Sequence, residues 1–550
     1  MNNKQHWPFF ILILAGVVLR IYFINQVDFY PDTVTHLNVA DFHLDEVGHR
    51  GSMLKGGIDL TQERTPGGLY IHSLWFLKKY LGFKFIHFHY LYVLSQIAII
   101  LLFYLSLGDY FSKFATLGAT SYVSLGLTFL EIFQKPINGN FVVFFTFLIF
   151  YLLTQLFIKK KLFIYPILFF SICVAAQFHF VHSVYFLIVL ALMFIFKLFP
   201  RVREMVFSLI LITIAYGPYV FQEKENSISF TRPILHRLLE NVFNDITEKA
   251  SYLSDVFFNF ISFIPFSEIA TQSTILHRRT ALCSLSTCHN PSTFIMSLLT
   301  LGGFLFVLFG MAKLWKSHSG FDRLIKYVLC MGIPLSWAIL STTTTFAGHW
   351  RYFYILPFLL CLIGKGLDHF SFKKISIIVV CLNLLAITSF WHMNKRKIHF
   401  RYDLFRLVSE KIHTDYGYDR DDIFSDKIQF IVNYDLINHL KDQWALQHRE
   451  TIWYIQWSRF YMEIPYPKAK PKDNICLLIF VKDNHFTKLQ SLDEDKIKGI
   501  LRQIIIKKED MKYFEDIKIK NDKVTFVEYS KEKCGVDFIE SKPDVKWFKK

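Results

Sequence analysis

The stretch GNFVVFFTFLIFYLLTQLFIKKK, residues 139–161, decides the class of this chain. Residues 139–158 carry no charge over about the length an α-helix needs to cross a hydrocarbon core of about 30 Å, and Lys159-Lys160-Lys161 end the run abruptly. An apolar segment that stops on three lysines reads as a membrane span with that end cytoplasmic, because basic residues in short connections resist translocation.

Working outward, similar runs stand at 8–26, 88–107, 112–132, 162–180, 183–199, 205–221, 293–312, 324–341, 353–368 and 374–392, about eleven predicted helices in all. They stop near Met393. The first run is too long for a signal peptide, carries Arg20 and has no small-x-small cleavage site before Asp32, so it is predicted to remain as an anchor. Composition agrees: of 550 residues 53% are hydrophobic and 19% charged, and Phe alone contributes 60. With a mean hydropathy of +0.31, this excludes a disordered, collagenous or nucleic-acid-binding chain despite the +16 net charge.

The basic residues alternate between connections. Lys159-Lys160-Lys161, Lys197 with Arg201 and Arg203, Lys313 with Lys316 and Arg323, and Lys365 with Lys373 and Lys374 fall on one predicted side, the cytoplasmic one. The predicted fold is therefore an α-helical polytopic membrane protein with its N-terminus cytoplasmic. Residues 1–393 form the transmembrane module, with long outside loops at 27–87 and 222–292. Residues 394–550 form an extracytoplasmic α/β domain.

Within the first loop, Thr33–Glu46 and Gly68–Tyr80 have helical patterning. Leu69, His72, Trp75, Phe76 and Lys79 share a spacing that predicts a helix lying in the membrane interface with its aromatic residues down. In the tail, Tyr402–His413 and Asp493–Ile504 read as helices, and Lys427–Asn433, Thr451–Trp457, Ile475–Lys482 and Val524–Tyr529 read as strands. The tail has no GxGxxG, P-loop or zinc motif. Cys173, Cys330, Cys361 and Cys381 fall in predicted helices. Cys283 with Cys288, and Cys476 with Cys534, lie outside, either as free thiols or as disulfides in an oxidising compartment.

The chemistry is concentrated just past the first span. Arg20 stands near its outer end, and Asp28, Asp32, His36, Asp41, Asp45 and Glu46 follow. Asp32 follows Pro31 at the predicted start of a helix, where a carboxylate either caps the helix or, fixed at the water–lipid boundary, acts as a general base.

Leu19-Arg20, Pro31-Asp32-Thr33-Val34-Thr35-His36, Thr65-Pro66-Gly67-Gly68-Leu69-Tyr70, Lys135-Pro136-Ile137-Asn138, and Arg351-Tyr352 running into Ile355-Leu356-Pro357 together resemble the GT-C membrane glycosyltransferases. The similarity is to the bacterial branch of protein O-mannosyltransferase-like and aminoarabinose-transferase-like enzymes, in the order and spacing of short motifs over about 400 residues. The resemblance implies a bacterial inner membrane with the C-terminal domain periplasmic, and transfer of a sugar from a polyprenyl-phosphate donor to a lipid, glycan or protein acceptor on the outer side. Asp32 matches the first-loop catalytic acid that deprotonates the acceptor for an inverting attack. Arg351 would sit near the phosphate that leaves on the lipid, where a guanidinium engages two oxygens at once. His349 would share that charge, and His36 and Arg20 would support the first loop.

The family's Asp-Glu pair is Asp32-Thr33 here, its later acid is replaced by Asn138, and its Pro-Pro is Pro66-Gly67. Glu131, at the predicted outer end of the third span, is the remaining candidate for the second acid. No cofactor is expected. A divalent metal held by His36, Glu63 or His72 competes with interfacial histidines that contact headgroups or carbonyls, and no metal is assigned.

Two other functions fit a polytopic chain. A polysaccharide ligase or polymerase presents its large outside loop late in the sequence, whereas the distinctive acid here is in the first loop. A lipid-linked glycan transporter needs ionisable groups near the bilayer midplane, where these predicted spans are nearly uncharged.

Overall fold

A computed structural model describes residues 7–23, 68–83, 85–126, 129–130, 138–178, 180–226, 291–341, 353–369, 377–385, 428–433, 475–481 and 524–530. The chain divides into two compact units, with the helices in the first and the three strands in the second.

The helical unit contains α1 (Trp7–Phe23), α2 (Gly68–Leu81), α3 (Phe85–Leu107), α4 (Lys113–Leu125), α5 (Asn138–Leu153), α6 (Tyr165–Phe178), α7 (Val184–Phe196), α8 (Val202–Asn226), α9 (Pro291–Lys316), α10 (Gly320–Ser341), α11 (Leu356–His369) and α12 (377–385). Short 3-10 turns at Leu162–Ile164, Phe180–Ser183 and Phe353–Ile355 lead into α6, α7 and α11. A π-turn, Thr154–Ile158, ends α5. Among the described residues, His87–Leu107 and Phe141–Ile158 are long and apolar enough to cross a membrane, and Trp7–Tyr22, Leu162–Phe178 and Val181–Phe196 are shorter apolar helices.

The opening stretch lies in the middle of this unit. Val142, Val143, Phe147, Ile149, Phe150 and Leu153 are fully buried, so α5 is covered on several sides, as its unbroken apolar sequence requires. Phe147 packs edge-on against Phe103 of α3 at 5.4 Å, and Phe150 against Phe358 of α11 at 5.0 Å. Helices α9 and α11 approach each other closely. A Cβ on Gly310 would fall on the carbonyl of Leu362, and one on Gly366 on the carbonyl of Phe306. Two notches four residues from their counterparts fix an antiparallel register, the use small residues have where no side chain fits between helices.

One end of the unit gathers the basic connections. Lys159 pairs with Asp109 at 2.6 Å, and that bond holds its ammonium above the ordinary lysine range. Tyr110 stacks on Phe321 at 4.1 Å, and Ser112 donates its backbone N–H to Asp368 at 3.0 Å. Lys365 pairs with the buried Asp322 at 2.7 Å, and Asp322 also accepts from the Ser317 hydroxyl. The Tyr165 hydroxyl reaches the carbonyl of Leu198 at 2.5 Å. These contacts hold the connections 108–112, 159–161, 197–201 and 317–319 together at that end.

Two expectations need correction. The third apolar run was expected to be helical to residue 132, but α4 stops at Leu125 because Gly126 turns extended (φ −61°, ψ 134°). Beyond Gly126 the chain turns back into a helical hydrogen bond at Leu130, whose N–H donates to the carbonyl of Gly126 at 3.0 Å, and Glu131 lies outside the described residues. In α2 the face packed on the other helices runs through Tyr70 and Leu74, while Phe76, on the side expected to face the membrane interface, is exposed. Tyr70 packs edge-on against Phe178 at 5.3 Å. Helix α8 also continues to Asn226, into the start of the expected loop 222–292.

In the second unit, β1 (Ile428–Asn433), β2 (Ile475–Val481) and β3 (Val524–Ser530) form one sheet with β2 central. β1 runs parallel to β2, with Ile428 opposite Ile475, and β3 runs antiparallel to it, with Ile475 opposite Ser530. The unbroken apolar sequence of β2 suits a central strand. Three of the four expected strands are present. Thr451–Trp457, the helices expected at Tyr402–His413, Asp493–Ile504 and Thr33–Glu46, and Cys283, Cys288 and Cys534 lie outside the described residues.

Candidate functional site

The end of the helical unit opposite the basic connections is built around Arg20. Helix α1 is apolar throughout apart from this residue in its last turn. Arg20 is fully buried. One η nitrogen donates to the carbonyls of Gly16 at 3.0 Å and Ser124 at 2.6 Å, and the other donates to Val123 at 2.8 Å. Val123 and Ser124 belong to the last turn of α4, whose carbonyls have no helical partner and carry the negative end of the helix dipole. The guanidinium therefore caps α4 from α1, and no carboxylate among the described residues pairs with it. The Ser124 hydroxyl returns a bond to the carbonyl of Leu12 at 2.8 Å, and Gly16 leaves the space in which the two helices meet. Arg20 thus fixes the helix end from which the first loop continues.

A layer of aromatic and imidazole side chains lies at the same end. The hydroxyls of Tyr70 and Tyr92 stand 3.4 Å apart, Tyr92 packs on Phe141 at 5.2 Å, and Phe141 stacks on Phe178 at 5.4 Å. His89 and Gln96, on the same helix as Tyr92, are buried. His182, fully buried in the turn before α7, contacts Thr146 of α5 through Nε2 at 2.9 Å. The Thr146 hydroxyl also lies 3.2 Å from the carbonyl of Val142, so it stands between that carbonyl and the imidazole.

Next to it, the Tyr185 hydroxyl donates to the carbonyl of Tyr354, and the Tyr354 hydroxyl donates to the carbonyl of Gly332 at 2.5 Å. Both tyrosines are fully buried. The 3-10 turn Phe353–Ile355 is thereby held between α7 and α10. Arg351 lies two residues before that turn in the sequence.

Of the residues expected to act, the structure describes only Arg20. Asp32, His36, Glu131, His349 and Arg351 lie outside the described residues. Tyr185, Tyr354 and Thr146 were not singled out by the sequence. The nearest signal was the pair His179 and His182, which interrupts an apolar run where a helix turns back. Among the described residues, no group of three or more His, Cys, Asp or Glu side chains could hold a metal ion. Neither protein-family models nor characterised protein sequences match this chain.

Proposed function

We propose that this chain is a polytopic membrane protein of about eleven spans with an extracytoplasmic C-terminal α/β domain, and that it is a glycosyltransferase of GT-C type. It would transfer a sugar from a polyprenyl-phosphate donor to a hydroxyl acceptor on the outer side of the membrane. Asp32 is the general base, Arg351 with His349 meets the leaving phosphate, and His36 and Arg20 support the first loop. No cofactor takes part in the proposed step.

The observation that carries this reading is the separation of the two ends. The basic connections gather at one end, while α1 ends and the turn before α11 begins at the other. The segment with Asp32 follows the first of these elements, and the segment with Arg351 precedes the second. A base on one and a cation on the other is the pairing that attack on a lipid-phosphate sugar needs. The acceptor loses a proton as the leaving phosphate gains charge. The donor arrives with its lipid, so no nucleotide-binding motif is required.

The test is transfer of radiolabelled sugar from polyprenyl-phosphate donors to membrane acceptors, comparing wild type with Asp32→Asn and Arg351→Ala at matched expression. Loss of label transfer in both variants, with both still inserted, is expected. A well-folded wild type that consumes no such donor overturns the proposal.

A further inference from the structure

We infer that the surface formed by the connections 159–161 and 197–201 binds the phosphate-bearing headgroup of an anionic membrane lipid, an inference that rests on the membrane reading but not on the transferase chemistry. Helix α7 ends on Lys197 in the left-handed conformation (φ 51°, ψ 41°), its backbone N–H returned to Met193 and Phe194. This sharp reversal is tied to the other connection by the bond from the Tyr165 hydroxyl to Leu198. The two connections therefore present their cations as one surface.

Lys160, Lys161, Lys197, Arg201 and Arg323 are all exposed there. Lys161 bonds Gln155 at 3.0 Å, and the Arg323 guanidinium lies over Phe196 at 5.4 Å, which brings the start of α10 against the end of α7. Of the carboxylates at this end, Asp109 is paired with Lys159 and Asp322 with Lys365, and Asp368, beside the connection 108–112, accepts the backbone N–H of Ser112. Glu204, in the first turn of α8, is the one further acid close by in sequence, and it faces the positive end of its own helix. The side chains of Lys160, Lys197 and Arg201 have no ion pair among the described residues. An excess of positive charge remains.

Apolar exposure selects a lipid over a soluble polyanion. Phe163 is 61% exposed, Phe194 64% and Val202 74%, all within a few residues of these cations, and the Phe194 and Phe199 rings pack edge-on at 5.3 Å. A nucleic acid or polyphosphate gains nothing from such side chains. A phospholipid places its phosphate on the cations and its glycerol and upper acyl chain on the rings, the arrangement found where basic and aromatic residues share a membrane interface.

The experiment uses the full chain in neutral detergent, titrated with short-chain phosphatidylglycerol and, separately, short-chain phosphatidylcholine, with bound lipid read by native mass spectrometry. Saturable retention of phosphatidylglycerol over phosphatidylcholine is expected. The triple variant Lys197→Gln, Arg201→Gln, Arg323→Gln should weaken it roughly a hundredfold, at about fivefold per cation near the surface. Because that variant removes the ring contact of Arg323, wild type is also titrated at about 1 M salt, where the selectivity should collapse. Equal binding of the two lipids, unchanged binding by a folded variant, or displacement by millimolar inorganic phosphate overturns the inference. A chain that stays in solution without detergent overturns the membrane reading along with it.

Discussion

Arg20 in the first helix and Ser124 at the end of the fourth exchange hydrogen bonds across their helices: the guanidinium donates to the Ser124 carbonyl at 2.6 Å, and the Ser124 hydroxyl donates to Leu12, two turns before Arg20. A buried cation satisfied by helix-end carbonyls is a tie between helices whatever else it does. Arg20→Ala should lower stability by about 3 kcal/mol, read as a lower midpoint of thermal unfolding in detergent, because three charged hydrogen bonds vanish and two carbonyls lose their partner. Arg20→Lys should recover little of this, since one ammonium cannot span both carbonyls as the planar fork does. Full recovery by lysine would show that charge alone matters.

The Asp322 and Lys365 pair tests a different balance. Asp322 is nearly buried, so Lys365→Met should cost about 3 kcal/mol by leaving a carboxylate with only the Ser317 hydroxyl. Adding Asp322→Leu to that variant should restore most of the loss, because no unpaired charge then remains. A double variant as unstable as the sum of the singles would show that the two residues are not coupled.

Tyr185→Phe addresses the segment that carries Arg351. Losing the hydroxyl that holds the Tyr354 carbonyl should change stability by only about 1 kcal/mol. In the transfer assay it should lower kcat roughly tenfold, on the order of 1.4 kcal/mol, while leaving KM for the acceptor near the wild-type value. A fall in activity that only tracks unfolding would mark Tyr185 as a packing residue.

Gly310→Val and Gly366→Val should each separate α9 from α11, with losses of about 3 kcal/mol from forcing a side chain onto a carbonyl. Gly302, on the same helix as Gly310, has open space around it, so Gly302→Val serves as the control and should cost no more than the ordinary helix propensity difference. Equal losses at all three positions would rule out close approach as the cause.

How much of this was legible beforehand follows from what each signal depends on. The helices were readable because uncharged runs punctuated by Lys159–Lys161 or Lys197 depend on composition alone. The strands β1, β2 and β3 were readable from short β-rich runs, but not that β1 and β2 are parallel, since pairing depends on what joins them. The end of α4 was misjudged because Ser124, Leu125 and Gly126 sit in a run that remains apolar beyond them, and a cap supplied by Arg20 from another helix leaves no local trace. Tyr185 and Tyr354 were invisible because a tyrosine whose hydroxyl meets a distant carbonyl looks in sequence like any aromatic membrane residue.

The reciprocal notches at Gly310 and Gly366 also restrict how the helices can move. Sliding α9 along α11 by one residue would drive a side chain into a backbone carbonyl at both notches, one above the other, so neither can yield without the other. Displacement along the shared axis is barred in either direction. Any rearrangement of the helical unit must carry this pair as a single rod, with the bending taken up by its neighbours.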